Sequence, residues 1–197
     1  MEQELIHSVI RVVSENGIEN TTIKKIAASA KVTASGIYGY YQDKDDLLQA
    51  SFLWADDFFA SNVRQIYRQR LPEDSLQRLW KRCFFFMLDF RDETMFYVRF
   101  LYSTLFSKEL MEKHIRNFSR ISTVLFSFVN DGSSTESVDK QFLLDHVLNN
   151  TLIYAEKIIS GKIEMTEETV DRIWNVICGA VQSCIDCPQD TDVPAKT

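Results

Sequence analysis

The chain has 197 residues, 45% hydrophobic and 25% charged, the balance of a soluble globular protein rather than a disordered one. Its net charge of −6 excludes a global basic field, so any nucleic-acid binding has to come from a local surface. No run approaches the roughly 18–20 apolar residues that span a bilayer. Met1-Glu2-Gln3-Glu4 lacks a basic leader, so a cytoplasmic location without a membrane partner is expected.

Only 6 glycines and 3 prolines are present, too few turn formers for a sheet-rich fold. The expected class is all-α, with about nine helices. Leu5, Ile6, Val9, Ile10, Val12 and Val13 form one face of a first helix, stopped by Asn16-Gly17. Thr21-Thr22 cap a short second helix carrying Ile23, Ile26 and Ala27. Thr33 caps a third, from 34 to about 41. Asp43 caps a fourth over 44–67, with Asp46 placing acid in its first turn.

Leu71-Pro72-Glu73-Asp74 marks a boundary, with Asp74 expected to cap a helix over 75–90. Further helices are expected over 93–106, 108–129, 138–159 and 166–185. Their separators are Arg91-Asp92, Ser107, residues 130–134 and Ser160-Gly161-Lys162. The tail from Pro188, residues 188–197, has nothing to bury and is expected to be disordered. Of 24 aromatic residues, residues 1–47 hold only Tyr38, Tyr40 and Tyr41. A small aromatic-poor unit, 1–47, therefore precedes a ring-rich helical body, 48–187.

Residues 22–41 have helix-turn-helix spacing. Ala27 allows close crossing of the two helices, and Val32 and Ile37 plug the gap between them. Ala34, Ser35, Tyr38 and Gly39 are left to face outward, as a helix entering the major groove requires. The fuller string comprises Gly17, Thr21-Thr22-Ile23, Ile26-Ala27, Ala30, Val32-Thr33, Ile37-Tyr38, Tyr41 and Asp43-Lys44-Asp45-Asp46-Leu47-Leu48. Over about residues 5–50 it closely resembles the N-terminal signature of the TetR (tetracycline-repressor-like) family of bacterial transcription factors.

That resemblance implies a ligand-responsive regulator, most simply a repressor, that binds double-stranded operator DNA. Thr22, Ile23 and Lys24 occupy the positions where the second helix meets the phosphate backbone. Thr33, Ala34, Ser35, Tyr38, Gly39 and Tyr40 occupy DNA-facing positions of the recognition helix, and Lys44 a phosphate contact at the fourth helix. Three features depart from the family pattern. Lys31 stands where glycine is usual and calls for a left-handed backbone. Gly36 and Gly39 each cost roughly 1 kcal/mol of helix propensity. Residues 1–47 hold five basic and seven acidic groups. The alternative is a TetR-like protein that has lost operator binding and serves as a ligand- or protein-binding module.

In the body, Met111, Ile115, Phe118, Ser122, Leu125 and Val129 trace one helix face. Leu144, Val147, Leu148, Thr151, Leu152, Ala155, Ile158 and Ile159 trace another. The last helix carries Val170, Ile173, Trp174, Ile177, Ala180, Val181 and Cys184, with Val176 and Gly179 making it apolar nearly all round. Such a helix must be covered on more than one side, and a second subunit is the simplest cover. The family resemblance implies a homodimer through the last two long helices, with Leu148, Leu152, Trp174, Ile177, Ala180 and Val181 at the interface.

The resemblance also implies an effector cavity, for which Phe58, Phe84, Phe100 and Tyr154 are candidate lining residues and an apolar or aromatic small molecule the expected ligand. Surface or supporting roles are expected for Arg82, Arg99, His114 and Glu156. Cys184 and Cys187 form one CxxC, read as helix-end packing or as a redox or metal pair, and no second pair completes a metal site. The chain carries no nucleophile elbow, phosphate loop or metal motif, so neither catalysis nor a cofactor is expected.

Overall fold

The computed structural model describes residues 2–71, 75–127 and 140–186. Among the described residues the chain is all-α, with nine helices and no strand. They are α1 (Glu2–Asn16), α2 (Ile23–Ala30), α3 (Ala34–Tyr38), α4 (Lys44–Arg68), α5 (Leu76–Asp89), α6 (Arg91–Leu101), α7 (Lys108–Ser127), α8 (Lys140–Ile159) and α9 (Glu167–Asp186). The fold class matches the expectation from composition and periodicity.

Capping chemistry explains most boundaries. Thr22 and Thr33 cap α2 and α3, their hydroxyls accepting from the Lys25 and Gly36 backbone N–H groups. Asp43 accepts from Asp46 N at 2.8 Å, while Asp46 Oδ2 accepts in return from Gln42 N at 3.0 Å. Four expected boundaries shift. α5 is capped by Ser75, whose hydroxyl accepts from Arg78 N, so the cap lies one residue beyond Asp74. α3 stops at Tyr38 rather than near Tyr41, because Tyr40 N and Tyr41 N both fold back to Ile37 O at 3.0 and 3.1 Å. Arg91-Asp92 is the first turn of α6 rather than a separator, since Phe90 alone ends one helix and starts the next. α6 itself ends at Leu101, where the expected helix ran to 106. The expectations for Asp74, Val129, residues 130–134, the side chain of Val181, the Cys184–Cys187 pair and the tail 188–197 lie outside what the structure describes.

A continuous core runs from Leu5 on α1 to Ile177 on α9. In its centre Phe52 stacks on Phe100 at 4.5 Å and on Tyr97 at 5.3 Å, all three fully buried. Burying one such ring stabilises the fold by roughly 1.5–3 kcal/mol. The N-terminal unit joins the body through α1 as well as α4. The Arg99 guanidinium on α6 donates to Val13 O, and Ser14 Oγ donates to Asp92 Oδ1 at 2.7 Å. His7 meets Trp54 edge to face at 4.7 Å.

Candidate nucleic-acid interface

The outward helix is held by what lies behind it. Ile26 and Ala27 on α2 are buried, and Arg11 on α1 donates to Ser29 Oγ at 2.6 Å. After α2 the chain turns at Lys31, with φ 56 and ψ 39, a left-handed conformation. Lys31 N donates to Ala28 O and Val32 N to Ala27 O, the paired bonds of a Schellman C-cap. Lysine thus takes the place glycine usually fills, as the departure from the family pattern required. Ile37 then plugs α3 into the core at 1% exposed.

With Ile37 turned inward, the opposite side of α3 is open. Ala34, Ser35 and Gly39 are exposed, Tyr38 and Tyr40 are about half exposed at 55% and 52%, and Thr33 and Thr22 are exposed at their caps. Lys24 is exposed and Ile23 half-buried at the start of α2; Lys44 is half-buried in the first turn of α4. Seven of the ten residues therefore lie at the leading turns of α2, α3 and α4, while Tyr38 ends α3 and Gly39 and Tyr40 follow it. Two of the unit's other cations are engaged within it: Arg11 on Ser29, and Lys25 Nζ on Asn16 Oδ1 and Asn20 O at 3.0 and 2.9 Å. Acid is close by. The Tyr41 hydroxyl donates to Glu2 Oε1 at 3.5 Å, and burial together with Glu2 raises its pKa.

The four rings named for an effector cavity stand at different depths of one core. Phe58 is half-buried and touches Trp54, Phe86 and Phe90 at 5.3, 5.6 and 4.9 Å. Phe84 and Phe100 are fully buried, Phe84 stacking on Trp80 at 4.9 Å. Tyr154 is half-buried under the Lys157 ammonium. Of the residues named for a dimer interface, Leu152 and Ile177 are already buried within the chain and have little surface left to lose. Trp174 is half-buried against Trp80 at 5.4 Å, whose indole N–H donates to Thr151 Oγ1. Leu148 and Ala180 are half-buried, while Val176 is 53% exposed.

A polar cluster in the body escaped the sequence reading. Asp56 on α4 is completely buried. Its Oδ1 accepts from the Tyr97 hydroxyl at 2.5 Å and lies 2.7 Å from His114 Nδ1; its Oδ2 accepts from Asn117 Nδ2 at 2.6 Å. α6 and α7 are thereby tied to the middle of α4. Burial, reinforced by Asp56, pushes the Tyr97 phenol well above its ordinary pKa. Of the surface and supporting roles expected for His114, its place beside Asp56 is a supporting one. The partners stand 41, 58 and 61 residues from Asp56, so no local spacing could have shown them. The one local signal was a carboxylate on the apolar side of a helix, between Ala55 and Phe59.

A two-helix reader mounted on a helical body is the architecture of a DNA-binding regulator module. The family model for bacterial regulatory proteins of the tetR family matches residues 5–51, and those residues form an N-terminal unit of that kind. Among curated relatives, the HTH-type transcriptional regulator HbdR of Aromatoleum sp. (strain CIB) is 36% identical over 69 residues, covering 35% of this chain and 27% of its own. The nicotine-responsive transcriptional repressor HdnoR of Paenarthrobacter nicotinovorans is 33% identical over 66 residues, covering 34% and 32%. The chain thus spans about a third of the length of the curated relatives it matches. Over the whole fold, a TetR family transcription regulator from Marinobacter aquaeolei VT8 superposes with a TM-score of 0.71 at 20% identity, covering 91% of this chain and 94% of that one. FadR from Bacillus subtilis, in complex with stearoyl-CoA, gives 0.68 at 14% identity, covering 96% and 100%.

Proposed function

We propose that the protein is a ligand-responsive transcriptional regulator: a repressor that binds a near-palindromic operator as a homodimer and is released by a small apolar or aromatic effector. The observation that carries this reading is the mount of α3. Ile37 is anchored in the core, both preceding turns are capped, and Ala34, Ser35, Tyr38 and Gly39 are presented outward. Lys24 and Lys44 flank that face, suited to phosphates. Such a role is exercised in the cytoplasm, where the DNA is, and calls for no catalysis.

The partner copy is assigned to α8 and α9, through the exposed Val176 and the neighbouring Leu148, Trp174 and Ala180. Two recognition helices on a two-fold axis call for half-sites roughly 34–36 Å apart, or a multiple of that spacing. The half-buried rings around Phe58 suit an apolar or aromatic ligand, and of two similar proteins one is named as nicotine-responsive and the other is in complex with stearoyl-CoA. An effector there acts on DNA by favouring one dimer geometry over another. α4 is the lever, its first turn at the DNA face and its middle among the rings. A coupling of ~1–3 kcal/mol weakens operator binding about 5–150-fold.

Operator selection from random DNA with purified protein tests the reading directly and should enrich a palindrome. Lys44→Ala should weaken binding to all sequences alike and flatten the salt slope by about 0.9. Ala180→Arg should yield monomers or insoluble protein, because it places an unpaired charge in the dimer interface. If no palindrome is enriched, the protein is instead a ligand- or protein-binding module without an operator.

A further inference from the structure

We infer that the DNA-binding unit carries a second small-molecule site, for a small organic cation, in the cavity directly behind α3. The cavity measures about 250 Å³ and lies between the first turn of α1, the α2–α3 turn and the inner side of α3. Typical drug-sized sites span roughly 300–1,000 Å³, so this one suits a short aliphatic or phenylalkyl amine. Its floor is apolar: Leu5 and Ile37 are buried and Val32 half-buried beside them. The rim is acidic, with Glu2 and Glu4 both exposed, and none of the lining residues is basic.

Tyr40 adds an aromatic ring to the wall, and a cation is drawn to such a ring face by its quadrupole. Gly36 opens the cavity from the helix side; a Cβ there would come within 3.3 Å of Thr33 Oγ1. An apolar floor beneath a doubly acidic rim selects an apolar body with a positive head. An anion is repelled, and a neutral molecule gains nothing from the carboxylates.

The consequence for DNA rests on the function proposed above. Thr33 and Tyr40 line this cavity and also belong to the DNA-facing set. Glu2 and Glu4 therefore repel the phosphates that approach α3. A bound cation cancels that repulsion and braces a five-residue helix that Gly36, in its middle, disfavours. It should therefore tighten operator binding, the opposite of the effector proposed in the body.

The test uses the full-length protein, labelled with nitrogen-15, and benzylamine against neutral benzyl alcohol. Without DNA, benzylamine should shift the Gly36 and Ile37 amide signals saturably and bind about fivefold more tightly than the alcohol. That preference should disappear in the Glu2→Gln/Glu4→Gln double variant. Equal affinities, no saturable shift, or a preference that survives in the variant would overturn the site. In a second arm, at constant ionic strength, benzylamine should raise operator affinity several-fold in the parent and not in the variant. Binding of the amine with unchanged or weakened operator affinity would overturn the proposed coupling. A protein that takes up benzylamine but binds no operator refutes the repressor reading and leaves the cation site standing.

Discussion

At its first turn α4 meets solvent through half-buried Lys44 and a polar capping box, whereas three turns later it buries Asp56 completely among Tyr97, His114 and Asn117. In the N-terminal unit the exposed Thr22, Thr33 and Asp43 bond as caps that hold the next turn in place. Inside the body, Asp56 is held by partners from two other helices. The first kind of polarity can be changed residue by residue, since water replaces a lost partner. The second cannot, because removing Asp56 takes one buried acceptor from three side chains at once.

The largest expected effect follows from that contrast. Asp56→Ala should destabilise the fold by ~3–5 kcal/mol, read as a lowered denaturant midpoint. Lys44→Ala should stay within about 0.5 kcal/mol of the parent while losing DNA affinity. Equal stability losses in the two variants would break the comparison.

Alkaline pH should separate the regions next. Burial pushes the Cys83 thiol from its ordinary 9.0 up to about 12, with Arg82 opposing. Burial likewise holds Tyr67 and Tyr97 well above their usual range. All three folded-state pKa values are raised, so the stability from keeping these groups neutral is complete at lower pH. It is lost as pH rises from 9 towards 12, by about 1.4 kcal/mol per unit for Cys83 alone. Denaturation at pH 8, 10 and 11 should trace this fall, and a flat profile would contradict it.

The smallest effect concerns a single cap. Thr33→Ala removes the hydroxyl that accepts from Gly36 N at 3.1 Å and should cost ~1 kcal/mol. The loss should appear as faster amide exchange in α3 and weaker operator binding, with the body's exchange unchanged. Uniformly faster exchange across the body would show that α3 is not the local unit described.

How far the sequence could be read follows the same division. The reader unit was legible because its determinants are local: Thr22 and Thr33 precede the helices they cap, and the buried Ile26, Ala27 and Ile37 lie close together in sequence. Even the left-handed Lys31 was visible as a non-glycine in a glycine's place. In the body, periodicity placed the helices but not what their side chains meet. Phe84 and Phe100 read as candidate ligand contacts, yet a buried ring and a cavity-lining ring look alike in one dimension. Leu152 and Ile177 read as interface residues, although the chain's own packing covers them. The Asp56 cluster was invisible because its members meet only after α4, α6 and α7 have packed.

That cluster also constrains how the protein can change over time. Replacing Asp56 takes the shared partner from Tyr97, His114 and Asn117 at once, so an intermediate sequence that loses it first is less fit to fold than either endpoint. Lineages should therefore keep the four residues as a block or exchange them together for an apolar set. The exposed positions of α3 face no such barrier and are free to drift with the DNA they read. One helix thus joins a slowly changing anchor to a rapidly changing reader, and new specificities can arise without rebuilding the body behind them.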